Sequence, residues 1–225
     1  MKKTAKHIII IGAVILTALV LAVCIGGIFI IKNYSVDETE VSITYDSIPT
    51  LDAEGLQQMA NKSDAEYTML YCYSALCSWA NLGYPFFRSV ADKYGFDFVV
   101  LLKDRATDSI MTQTSINKLH LLDSSLTRIV MLSDSLYDIE YRYLPPVSKR
   151  NSMFHAYGGP KEGNKYINYV DNYIPEGFNH DAATPKMILY KKNTGIVFVN
   201  EGYDEQEFND KDRFRLEQTI GYNAE

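Results

Sequence analysis

The sequence predicts an α/β sandwich, a central sheet mixing parallel and antiparallel strands flanked by helices, preceded by one N-terminal transmembrane helix. Three observations carry this reading. Residues 8–31 are an uncharged, almost wholly apolar run. Beyond it, buried-strand runs at Tyr67–Tyr73 and Phe96–Leu102 alternate with stretches whose apolar residues recur at helical spacing. Near the C-terminus, Met187–Tyr190 and Ile196–Val199 are joined by Asn193, Thr194 and Gly195, a hairpin turn composition.

The apolar run of 24 residues, at about 1.5 Å per residue, is long enough to cross a hydrocarbon core roughly 30 Å thick. Lys2, Lys3 and Lys6 precede it and only Lys32 follows closely. The positive-inside bias therefore places residues 1–7 in the cytoplasm and the bulk of the chain outside, as a single-pass protein of the cell membrane. Two competing readings are a cleaved signal peptide and a lipoprotein signal ending Leu21, Ala22, Val23, Cys24. The run continues well past Cys24, which exceeds the usual apolar core of a signal peptide, and Val23 is bulkier than the small residue expected before a lipidated cysteine.

The chain has 225 residues and a net charge of −6; its first 33 residues hold four lysines and no acid, so the remainder carries 18 basic and 28 acidic residues, net −10. A domain this acidic repels phosphate and has no basic stripe, which argues against nucleic acid as a partner. No glycine-rich phosphate loop and no nucleophile-elbow serine is present, and His120 and His155 lack carboxylate or cysteine neighbours at metal-ligand spacing. No metal or other cofactor is expected.

In order, residues 32–40 read as a polar stalk, and the extracytoplasmic domain spans 41–225. Val41–Tyr45 alternates like a strand, and Asp52–Asn61, with Leu51, Leu56 and Met59 on one side, reads as a helix. Tyr67–Tyr73 is the next strand. After a bend at Ser74, Ala75 and Leu76, the spacing of Phe86, Phe87, Val90, Ala91 and Tyr94 is helical, with Pro85 inside and Gly95 as its stop. Residues 106–183 are less legible, with a strand expected at 127–132, a helix at 165–174, and seven tyrosines (137, 141, 143, 157, 166, 169, 173) suited either to covering a small core or to a contact surface. A polar amphipathic helix is expected over 205–220.

Cys77 at a strand-to-helix junction, Pro85 eight residues later, and Val90–Tyr94 leading into the strand Phe96–Leu102 resemble the active-site helix of the thioredoxin-like proteins. Thr184 and Pro185, followed by Met187–Tyr190 and the hairpin, are similar to that family's cis-proline loop. The resemblance covers about residues 41–105 and 184–220; the stretch at about 106–183 looks like an insertion. It implies a thioredoxin-like fold in which Cys77 is the candidate nucleophile and Trp79, Thr184 and Pro185 flank a bound partner. It also shows two departures: Ala80 stands where the second cysteine is usual, and Tyr71 where a buried acid is usual.

A thiol at a helix N-terminus meets free backbone N–H groups and the positive end of the dipole, which favour the thiolate. With Ala80 unable to resolve a mixed disulfide, the remaining chemistry is monothiol exchange completed by an outside thiol. Cys72, in the strand, reads as an inert buried thiol, with a Cys72–Cys77 disulfide as the lesser alternative. His180 is a lesser candidate base. The expected function is handling of thiols or cysteine-containing envelope proteins or peptides through Cys77. The alternative is a non-catalytic adaptor or export accessory protein that binds another envelope protein.

Overall fold

A computed structural model describes residues 43–103, 109–138, 165–181, 186–200 and 211–222. Residues 42–225 form one unit in themselves. The expected transmembrane helix at 8–31 and the stalk lie outside the described residues; among those described, no helix is long and apolar enough to cross a membrane.

The elements in chain order are β1 (Thr50–Leu51), α1 (Ala53–Asn61), β2 (Tyr67–Tyr73), α2 (Ser78–Tyr94), β3 (Asp97–Leu102), α3 (Ser109–Leu122), β4 (Ile129–Leu132), α4 (Lys165–Tyr173), β5 (Lys186–Lys191), β6 (Gly195–Val199) and α5 (Arg213–Ile220), with short 3-10 turns at Tyr45–Ser47 and Asp134–Asp138. The described strands make one sheet in the order β1-β4-β3-β2-β5-β6. β1, β4, β3 and β2 run parallel, while β5 is antiparallel to β2 and β6 to β5. The mixed sheet expected from the alternation of strands and helices is the one observed.

β2 is central, and all seven of its residues are buried. Its alternation sorts two cores. Leu70 and Cys72 join Leu56 and Ala60 of α1 and Tyr166, Tyr169 and Val170 of α4. On the other face, the Tyr71 ring lies 5.7 Å from Tyr84 and 5.2 Å from Phe87, both on α2, and 6.0 Å from Phe98 on β3. Asp52 caps α1 by accepting from the Gly55 N–H at 2.7 Å. At the far end of α2, Gly95 takes the left-handed conformation at φ 68°, and Phe96 N–H donates back to Ala91 O at 2.9 Å.

One expectation needs correction. Tyr45 does not end a strand but begins a 3-10 turn, and the first strand is Thr50–Leu51; Val41 and Ser42 lie outside the described residues. The cause is local: Ser47 Oγ donates to Thr44 O at 2.7 Å and accepts from Thr44 N–H at 3.2 Å, side-chain bonds that compete with a strand ladder. The stretch at about 106–183, expected as an insertion with a strand at 127–132, supplies α3 and α4 and places β4 (Ile129–Leu132) between β3 and β1. The C-terminal helix is described from Arg213, and residues 205–210 of the expected span lie outside the described residues.

Candidate functional site

β2 ends at Tyr73, and the chain turns at once: Cys77 N–H donates to Ser74 O at 3.0 Å, closing a four-residue turn. Cys77 is extended (φ −90°, ψ 108°) and serves as N-cap of α2, its carbonyl accepting the first helical bond from Asn81 N–H at 3.2 Å. The residue is half-buried. Leu76, Trp79 and Leu82 around it are 72%, 59% and 67% exposed, whereas Ala80 is fully buried. Cys77 and Trp79 thus sit where the sequence places them, at an open helix N-terminus beyond the C-terminal end of the central strand.

Side chains from two helices hold this turn. Ala75 N–H donates to Ser115 Oγ at 3.1 Å, and Ala75 O accepts from Lys118 Nζ at 3.2 Å, both on α3. Asn81 Nδ2 donates to Ala75 O at 3.2 Å and to Cys77 O at 2.9 Å, and Asn81 Oδ1 accepts from the Tyr73 hydroxyl at 2.6 Å. Asn81, Ser115 and Lys118 were missed by sequence reasoning. Asn81 carried a weak signal, four residues after a cap, but nothing in the sequence announces that residues forty positions away fasten Ala75.

One test follows. Asn81→Ala strips two carbonyls of a donor and leaves the Tyr73 hydroxyl without its acceptor, so we expect a loss of about 1–3 kcal/mol. Amide exchange at Ala75 and Cys77 should accelerate by more than the global loss accounts for, as hydrogen exchange with mass spectrometry would detect.

Directly behind Cys77, the Tyr71 hydroxyl donates to Ala80 O at 2.6 Å in a buried setting. The two positions where the resemblance expects an acid and a second cysteine are therefore bonded to each other. Neither supplies Cys77 with a carboxylate or a second thiol.

Cys72 belongs to the opposite core and is fully buried. Burial pushes its thiol up to about 11, opposed by a hydrogen bond with Tyr166 and by the nearby charges of Lys186 and Lys103. Both cysteines are free thiols, on opposite sides of the sheet. Lys186, which pairs with Cys72 in the β2–β5 ladder, is almost wholly buried and donates to Asn179 O at 3.2 Å. Burial holds its ammonium below the usual lysine range.

Thr184 and Pro185 lie outside the described residues, as does His155. The His180 ring is placed by Val170 O at 3.1 Å and Pro175 O at 3.2 Å, on the α4 side of the sheet and away from the face α2 covers. His120 stands on α3 with its Nε2 buried and without a hydrogen-bond partner among the described residues. Among the described residues no cluster of histidine, cysteine and carboxylate groups is placed to hold a metal ion. No protein-family model matches the chain, and no curated protein matches it.

Proposed function

We propose that the chain is a membrane-anchored, extracytoplasmic protein of thioredoxin-like fold that handles thiols or cysteine-containing partners through Cys77. The observation that carries the reading is the setting of Cys77: half-buried, at the N-cap of a helix with an internal proline, beyond the end of a central parallel strand, on a turn pinned by Asn81, Ser115 and Lys118. A strand, a proline-containing helix and a parallel strand, followed by an antiparallel hairpin beside the first strand, also support the resemblance. The exposed rings and aliphatic groups of Leu76 and Trp79 give a partner apolar area beside the thiol.

The chemistry is exchange at one sulfur. The Cys77 thiolate attacks a disulfide, forming a mixed disulfide and expelling the partner's other sulfur as thiolate; the thiolate of an external thiol then attacks the partner's sulfur in the mixed disulfide, forming a new disulfide with it and expelling the Cys77 thiolate. One disulfide and one thiol are consumed and one of each is formed, so Cys77 ends as it began and no other oxidant or reductant is needed. Thr184 and Pro185 remain the residues proposed to flank the partner, and the anchor at 8–31 remains the proposed tether.

The test is alkylation of the full chain in detergent, with Cys72 as the internal control. Cys77 should react faster at neutral pH than a cysteine in an unfolded peptide, and Cys72 should stay protected until the domain unfolds. It should also form a mixed disulfide with glutathione disulfide that Cys77→Ser abolishes. A Cys77 that alkylates sluggishly and forms no mixed disulfide would turn the reading to the second one, a non-catalytic adaptor. That reading has its own support in the buried Tyr71–Ala80 bond, which fills the place of a resolving pair with packing.

A further inference from the structure

The first half of α2 is apolar on both sides. Ala80, Gly83, Tyr84 and Phe87 are buried against the sheet, while Leu76, Trp79 and Leu82, three residues apart on the turn and the first turns of the helix, are exposed. Ser74 to Phe87 include no charged residue, in a strongly acidic domain. The second half of the same helix is ordinary, with Arg88, Asp92 and Lys93 outside the core. We infer that Leu76 and Leu82 seat the start of α2 in the headgroup layer of the bilayer, which rests on the proposed anchor at 8–31.

The tether selects the bilayer as occupant. The apolar run ends at residue 31 and the described fold begins at residue 43, a stretch that spans at most about 40 Å even fully extended. With the anchor in place, the domain never leaves the neighbourhood of the membrane. A contact too weak to hold a free domain then closes within one molecule, at an effective concentration in the millimolar range. Charge agrees. The start of α2 enters the headgroup layer without burying an ion, whereas the acidic remainder of the domain is repelled by anionic lipid. Leucine on the apolar side and tryptophan at the interface are the side chains that partition there.

Other occupants fit less well. Three side chains fall well short of the roughly 800 Å² a side that a stable protein–protein interface buries, which disfavours a second copy or a soluble partner. Exposed apolar groups elsewhere lack the uncharged setting: Phe214 lies between Arg213 and Arg215, and Leu122 precedes Asp123. Seated in this way, Cys77 works at headgroup level, where the disulfides within its reach are those of membrane proteins.

Trp79 is the only tryptophan in the chain, so its fluorescence reports the position of this segment alone. The full chain is reconstituted in phosphatidylcholine vesicles made with plain or acyl-brominated lipid. Bromine quenches by contact, and a domain seated for more than half of the time, as a millimolar effective concentration allows, lowers the emission at least about twofold. Leu76→Asp combined with Leu82→Asp should restore the emission at an unchanged Tm, because both side chains are exposed. A carbonate wash of the same vesicles reads the anchor separately. A chain that resists the wash while Trp79 stays bright overturns the seating and leaves the anchor standing; a chain that washes off overturns both. Quenching by aqueous iodide in place of bromine, shielding from both quenchers, or bromine quenching that the double variant leaves intact also overturns the inference.

Discussion

Replacing Tyr71 by alanine is expected to destabilise the domain by about 3–5 kcal/mol, the range for deleting a buried aromatic ring. The ring is fully buried and meets Tyr73, Tyr84, Phe87 and Phe98 with centroids 5.2–6.4 Å away, so its removal opens a cavity lined by other rings that cannot close over it. Tyr71→Phe keeps the ring and loses only the hydroxyl, whose partner is Ala80 O. We expect about 1 kcal/mol for that change. Urea unfolding followed by circular dichroism separates the two. A Tyr71→Phe loss as large as that of Tyr71→Ala would mean that the hydrogen bond, and not the packing, fastens α2 to β2. The pair also probes the site, since alkylation of Cys77 in Tyr71→Phe reports whether the Ala80 bond holds the first turn of α2 in place.

The elements that were legible in the sequence are those whose burial is one-sided or complete. β2 reads as a strand because all seven residues are buried, and α2 because Tyr84, Phe87, Val90 and Ala91 repeat on one face up to Gly95. α3 could not be read this way. It buries Thr112 and Ser115 together with Ile116 and Leu119, while Ile110, Leu121 and Leu122 are exposed, so apolar residues mark no face. Its polar buried groups have a purpose only tertiary structure reveals, since Ser115 Oγ takes the Ala75 N–H.

The same distinction governs the site. The placement of Cys77 and Trp79 at a helix start was legible because a strand, a bend and a helix start are local features. The turn's anchors were not, because Ala75 and Lys118 meet only after β3 and α3 are both in place. Lys186 was hidden for another reason. A lysine opening a strand normally projects to solvent, and its burial here follows from the packing of Asn179 and its neighbours over the start of β5.

Alkaline pH is expected to unfold the domain steeply, with Cys72 setting where the loss begins. Its thiol is raised from 9.0 to about 11 by burial. The folded state therefore keeps a proton that the unfolded chain gives up. That contribution is complete below pH 9.0 and is lost as pH rises through about 11; two pKa units correspond to roughly 3 kcal/mol for this fully buried group. Tyr166, Tyr169 and Tyr190, all raised chiefly by burial from 10.0, add losses of the same sign at higher pH. Lys186 acts oppositely. Burial lowers it from 10.5, so the folded state releases its proton first and stability gains as pH climbs from that lowered value towards 10.5. One thiol and three phenols outweigh one ammonium. Cys72→Ala costs about 1 kcal/mol at pH 8 for the small void it leaves, but its stability should fall less steeply than the wild type's between about pH 9 and 11, by close to one proton's slope. Urea midpoints measured across that interval should bring the two proteins together or cross them. Parallel curves would show that the Cys72 thiol does not hold its proton in the fold.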